Sequence, residues 1–307
     1  MDIQMKQCED LMRERSSSFY EAFRGLPSPR REAVFTIYAF CRMIDDSVDE
    51  PEHSLYTLDQ LGDHLMELEK ADGHFIWPAL RGLFASFPRL TKEPFLRQME
   101  GQHSDLTFTH YITMNQLERY CYLVAGTVGE MLLPVLREVD DESNEAVQES
   151  GIALGKAMQI VNIIRDVGED LARGRRYIPL ELMVRHGYTE EELLRGEVNG
   201  KWIALVQDLE QLAAGWLQAG MKRLDAYPPE SAFAVELSAV LYGAILTAVK
   251  DNGFDVFRKR AFVEDRMKFQ IYRRVKLRHF GGSEVDHEFV PKKLSGQQQM
   301  ADTVGWL

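Results

Sequence analysis

Cysteine is scarce: Cys8, Cys41 and Cys121 are the only three in 307 residues. They lie far apart, with neither metal-ligand spacing nor the even count of a disulfide framework, which points to a reducing cytoplasm. Phosphate-binding glycine loops are missing as well. Neither GxxxxGKS/T nor GxGxxG occurs, so a nucleotide cradle of either kind is not expected. Basic charge is in deficit, with 36 Lys and Arg against 48 Asp and Glu and a formal net charge of −12. Nucleic acid is therefore not expected as a partner. Long apolar runs are absent too. The most apolar stretch, Leu237 to Val249, falls short of the roughly 20 residues of a spanning helix. It also carries Ser238, Tyr242, Gly243 and Thr247 and reads as a core helix, so no transmembrane segment is expected. The charged, amphipathic N-terminus has no apolar core of the signal-peptide kind. Strand patterns are few: no Val/Ile/Thr run alternates in polarity between turn dipeptides.

What remains is helical. Apolar residues make up 45% and charged residues 27% of the chain, an ordinary globular balance. Apolar positions recur every three or four residues among good helix formers. Breaks are expected at Leu26–Pro27, Pro51, Asp72–Gly73, Pro88, Thr91–Pro94, Asp140–Asp141, Pro179, Gly187, Asn199–Gly200 and Pro228–Pro229. Ser18 with Glu21 has the form of a capping box, and Ser28–Pro29 that of an N-cap and first helical proline. No linker or repeat divides the sequence. The expectation is one all-α domain over residues 1–280, with a mobile tail from 281 to 307.

Two of these helices carry acids where a core helix should not. In residues 33–50, Tyr38, Arg42, Asp45 and Asp49 are spaced four, three and four apart and share one stripe. Two carboxylates one turn apart repel by about 3 kcal/mol at an effective dielectric near 20. A buried helix keeps such a pair only beside a compensating cation; a solvated helix end would need none. In residues 155–179, Gln159, Asn162, Asp166 and Asp170 form a second stripe among Ile160, Val161, Ile163, Ile164 and Val167. Arg165, Arg173, Arg175 and Arg176 surround it. Hard oxygen donors of this kind suit Mg²⁺ shared with a diphosphate, whose outer oxygens arginines can fork. Zn²⁺ would call for His or Cys.

The segments RSSSFYEAF, AVFTIYAFCRMIDDSVD, YCYLVAGTVGEML, QIVNIIRDVGEDLARGRRYIP and RAFVEDRMK, within residues 15–268, resemble the squalene/phytoene synthase family, most of all its bacterial dehydrosqualene synthases. The resemblance implies a single helical isoprenoid-synthase domain with a central cavity. It implies Mg²⁺ as cofactor, held by Asp45, Asp49, Asn162, Asp166 and Asp170. Ser16, Ser17, Ser18, Tyr38, Arg42, Gln159, Arg165, Arg175, Tyr242, Arg260 and Lys268 would contact the prenyl diphosphate. Tyr38, Arg42, Tyr120 and Tyr242 would take part in the chemistry. Phe23 and Phe35 match bulky positions that close the far end of the cavity in C30 enzymes.

The implied reaction is head-to-head condensation of two farnesyl diphosphates to a C30 hydrocarbon through a cyclopropyl intermediate. Two departures from the family pattern bear on it. Ser17 stands where a basic residue is common, and Arg15 where His or Asn is. A weakened diphosphate site would leave a farnesyl diphosphate phosphatase. The same residues also suit a phytoene synthase using geranylgeranyl diphosphate, or a non-catalytic scaffold of the same fold. From Lys250 to Phe280, ten Lys or Arg face four Asp or Glu, a solvated face that is also a candidate for peripheral contact with anionic lipid.

Overall fold

The structure, a computed structural model, describes residues 3–106, 110–138 and 145–281. The tail expected from residue 281 thus lies almost wholly outside the described residues, as does the Asp140–Asp141 break. The chain opens with α1 (Ile3–Arg15), α2 (Ser17–Phe23), α3 (Arg30–Asp49), α4 (Leu58–Met66) and α5 (Ile76–Ser86). Next come α6 (Glu93–Asp105), α7 (Met114–Cys121), a π turn (Tyr122–Gly126), α8 (Thr127–Leu136), α9 (Glu145–Arg165) and α10 (Val167–Ala172). Helices α11 (Leu180–His186), α12 (Glu190–Leu194), α13 (Gly200–Gly220), α14 (Pro229–Asp251) and α15 (Asp265–Phe280) complete the all-α fold. Among the described residues there is no strand, only an isolated bridge between His110 and Arg176.

Local chemistry explains most boundaries. Thr57, Thr113 and Thr189 close capping boxes with Gln60, Gln116 and Glu192. Asn199 Oδ1 accepts from the Lys201 and Trp202 amides and starts α13. Gly187 ends α11 at φ 61°, where an L side chain would be strained. The box expected at Ser18 and Glu21 does not form. Backbone bonds from Ser16 to Met12 and from Tyr20 to Ser16 carry the helical ladder through the α1–α2 junction, and Glu21 accepts from Arg24 instead. Nor is Ser28 the cap of α3, because Pro29 holds that position without a side-chain bond.

Helix α9 forms the spine, packed along α13, α8 and α14, while α3 lies against α1, α5, α6 and α8. The α8–α9 contact is very close. A Cβ on Gly155 would sit 2.1 Å from the Ala125 carbonyl oxygen, and one on Gly129 would sit 2.2 Å from that of Gly151. Helix α14 is longer than the apolar stretch in the sequence suggests. It is the one described helix long and apolar enough to cross a membrane, yet 61% of that stretch is buried against its neighbours, as expected of a core helix.

Candidate active site

The first acidic stripe is buried along its whole length. Tyr38, Arg42 and Asp45 are 2%, 1% and 0% exposed, and the Asp49 side chain is 2% exposed. Burial pushes the Asp45 carboxyl well above the usual carboxylate range, with Arg42 opposing and Asp49 and Asp46 adding to the rise. Arg42 pairs with Asp46 through Nη2, while its Nε and Nη1 have no partner.

The second stripe spans a break in the helix. α9 stops at Arg165 and α10 starts at Val167, but bonds from Asp166 N to Asn162 O and from Asp170 N to Asp166 O, both 2.9 Å, keep the stripe aligned. Asp166 accepts from Arg165 Nε at 2.7 Å and from Arg260 Nε at 3.0 Å. Burial raises its pKa, but these two guanidiniums outweigh that and hold it below the ordinary value. Asp170 has no such partner. Burial, then Asp166, push it well above the usual range, and Asp49 on the opposite stripe adds to the shift. The stripes are tied together by Arg175 Nη1 at 2.6 Å and Arg173 Nη1 at 3.1 Å from the Asp49 carboxylate.

A third polar face, unrecognised in the sequence, comes from α6. Gln98, Gln102 and Asp105, spaced four and three apart, are 0%, 0% and 4% exposed. Gln102 Nε2 donates to Asp45 Oδ1 at 2.5 Å, and Tyr120 donates to Asp105 Oδ2 at 2.8 Å. Burial pushes the Asp105 carboxyl up to about 7, against the hydrogen bond from Tyr120 and the charge of Arg175. The tyrosine ring stacks on Tyr177 at 5.1 Å. The sole sequence signal for this face is helical spacing with Phe95, and two amides and a terminal acid in EPFLRQMEGQHSD read as a solvated face.

The donor chemistry fits a hard cation. Asp45 Oδ2, Gln102 Oε1, Gln159 Oε1 and Asp170 Oδ2 are buried acceptors without a hydrogen-bond donor, and they come from four helices. Orphaned buried oxygens are costly unless a cation or water completes them. Among the described residues, no three Asp, Glu, His or Cys side chains converge into a ready-made metal cage. Mg²⁺ needs none, since it takes one or two carboxylates and fills the rest with water and phosphate oxygens.

Two hollows adjoin these stripes. One is basic and polar, lined by Arg15, Ser16, Ser17, Ser18, Arg165, Arg260, Lys268 and Tyr242 among others. Lys268 Nζ donates to Ser17 Oγ at 2.9 Å. Thus Lys268 and Arg15 bring positive charge to the place where Ser17 replaces a basic residue. The other hollow is apolar, with about 620 Å³ of space between atoms, part of it open to solvent. Phe19, Phe23, Ala125, Gly129, Leu136 and Met158 are among its walls. Ala125 and Gly129 thus lie both at the close helix contact and on the wall of the apolar hollow. Tyr242 lines both hollows. Phe35 lines neither. It is 1% exposed and stacks on Tyr20 at 5.9 Å, one layer behind the wall, where Phe19 sits against Phe23 at 4.8 Å. Phe35, expected with Phe23 at the far end of the cavity, lies on the α1–α2 side of α3. Tyr120 is also off both linings and reaches the acidic site through Asp105.

The family model described as squalene/phytoene synthase matches residues 12–267. Phytoene synthase 2 of Zea mays is 37% identical over 262 residues, 83% of this chain; the chain spans 65% of the length of that protein. Phytoene synthase of Arthrospira platensis is 36% identical over 269 residues, covering 83% of this chain and 87% of the relative. A crystal structure of a dehydrosqualene synthase in complex with ligand superimposes with a TM-score of 0.83 at 32% identity, over 89% of this chain and 95% of that one. The chain belongs to the squalene/phytoene synthase family, an enzyme family of prenyltransferase type.

Proposed function

We propose that the protein joins two farnesyl diphosphates head to head into a C30 hydrocarbon and releases diphosphate. The observation that carries this reading is Tyr242, which sits at once in an apolar cavity and in a pocket of arginine, lysine and serine. A prenyl diphosphate has just these two halves. Arg165, Arg260 and Lys268 would hold the leaving diphosphate as the allylic C–O bond ionises, in place of their present bonds to Asp166 and Ser17. Tyr242, on the lining of both hollows, would bring its ring to a developing allylic cation, while Tyr38 lies off both linings with its ring 6.3 Å from that of Phe19. The apolar walls keep water from quenching it, which separates condensation from release of farnesol. Asp45, Asp49, Asn162, Asp166 and Asp170 would hold Mg²⁺, which when bound supplies charge neutralisation of the diphosphate.

The relatives named phytoene synthases, together with Phe35 standing off the wall, favour a second reading with geranylgeranyl diphosphate as donor. Product would leave toward lipid. Phe262 and Met267, 60% and 47% exposed, stand beside exposed Arg266, Arg273 and Arg274 near the basic pocket. Purified protein incubated with Mg²⁺ and either radiolabelled donor tests the proposal. A C30 hydrocarbon from farnesyl diphosphate supports it, a C40 product supports the second reading, and farnesol or no turnover overturns both.

A further inference from the structure

The polar face of α6 has no part in the residues carried over from the family, yet it touches the first acidic stripe and the tyrosine cluster. Asp105 ends that face. It is 4% exposed and accepts the Tyr120 hydroxyl at 2.8 Å. Arg175, Asp49, Tyr177, Asp45 and Tyr111 are among its other charged or titratable neighbours. Arg175 in turn bonds Asp49 at 2.6 Å, so Asp105 stands between the acidic stripes and the Tyr120–Tyr177 stack. A purely structural tie between α6 and α7 would not call for a buried carboxylate, because a neutral acceptor or apolar contact does the same at lower desolvation cost. What a carboxylate adds is a strong, directional acceptor. A phenol hydroxyl holds its hydrogen near the ring plane on either of two sides, and a charge-assisted bond fixes it on one.

We propose that α6 is a third wall of the reaction centre and that Asp105 is a positioning residue, holding the Tyr120 hydroxyl in the orientation that turnover requires. The inference rests on the condensation reading above. Tyr120 is off the cavity lining, so Asp105 acts through it and is not itself in contact with the prenyl chain.

The test is a double-mutant cycle between Asp105→Leu and Tyr120→Phe, with Asp105→Asn as the conservative variant. Turnover, KM for farnesyl diphosphate and thermal midpoint are measured for each. Asp105→Leu and Tyr120→Phe should each lower kcat about 10- to 100-fold, the usual cost of losing an outer partner of a functional group, with KM nearly unchanged. Combining them should lower kcat no further. Asp105→Asn, which keeps an oxygen acceptor but loses its charge, should recover only part of the turnover lost in Asp105→Leu. If Asp105→Leu does not fold, Asp105→Ala carries the same comparisons without adding bulk. Wild-type kcat in the folded Asp105 variant, or losses that multiply in full in the double variant, would overturn the proposal while leaving the condensation itself standing. Absence of any hydrocarbon from the unaltered protein would instead remove the reading beneath it.

Discussion

Arg175 Nη1 stands 2.6 Å from Asp49 Oδ1, joining the end of one acidic helix to the loop after the other. The Asp49 side chain is 2% exposed and has Arg173, itself 37% exposed, as its second partner. Arg175→Ala leaves a buried carboxylate with one solvent-screened cation. It should cost about 2–4 kcal/mol in urea denaturation, the lower side of what breaking a buried pair costs, because Arg173 remains. Arg175→Lys should recover part of that stability but little of the turnover, since an ammonium cannot fork two oxygens. Equal recovery of both would show that only charge matters there.

Asp105 gives the protein an unusual pH dependence. Its carboxyl is pushed up to about 7, chiefly by burial. In the unfolded chain an aspartate titrates at about 3.9. The folded state therefore binds the extra proton between these values, so this contribution is complete below the unfolded pKa and is lost as pH rises through 7. In metal-free buffer, unfolding free energy should fall between pH 5 and 8, by about 3 kcal/mol at most from this one group. Asp45 and Asp170 lean the same way. Urea titrations at both pH values, repeated on Asp105→Asn, should show a shallower slope for the variant; an identical slope would place the effect elsewhere.

Gly155 marks the tightest approach of α9 to the turn preceding α8. A methyl group there would lie 2.1 Å from the Ala125 carbonyl oxygen and 2.6 Å from its carbon, both backbone atoms that cannot swing aside. Gly155→Ala should therefore force the helices apart and cost about 1–3 kcal/mol or more, despite the better helix propensity of alanine. Gly215→Ala on α13 meets no atom within 4 Å and serves as the control, expected to be neutral or stabilising. Chemical denaturation of the two variants decides the matter.

The parts of the site legible in the sequence are those that violate the helix they sit on. Asp45 and Asp170 are acids on core faces, and the anomaly announces them. Gln98, Gln102 and Asp105 do not announce themselves, because amides are as common on solvated faces as in buried networks. Only the packing of α6 against α3 decides which face turns inward. The π turn at Tyr122–Gly126 is illegible for a related reason. It shifts the angular position of the residues after it, so that Tyr120 meets Asp105 while Ala125 and Gly129 line the cavity. The fold class needed none of this, since apolar residues recurring every three or four positions and breaks at Pro51, Pro179 and Asn199–Gly200 mark out the helices.

Phe23 and Phe35 illustrate the same limit and lead to opposite expectations. Both are large, buried and 12 positions apart, and sequence gives no ground for separating them. In the structure Phe23 faces the apolar cavity and Phe35 faces Tyr20. Phe23→Ala should lengthen the cavity and shift a mixture of farnesyl and geranylgeranyl diphosphates toward the longer product. Phe35→Ala should cost about 3–5 kcal/mol of stability and leave that product ratio unchanged, because the void opens behind the wall. Phe19→Ala should act as Phe23→Ala does, since its ring packs 4.8 Å from that of Phe23 on the same surface. Product ratios from competing donors separate the cases. A shift with Phe35→Ala as large as that with Phe23→Ala would mean that chain length is sensed through the α1–α2 layer rather than by direct contact with the cavity wall.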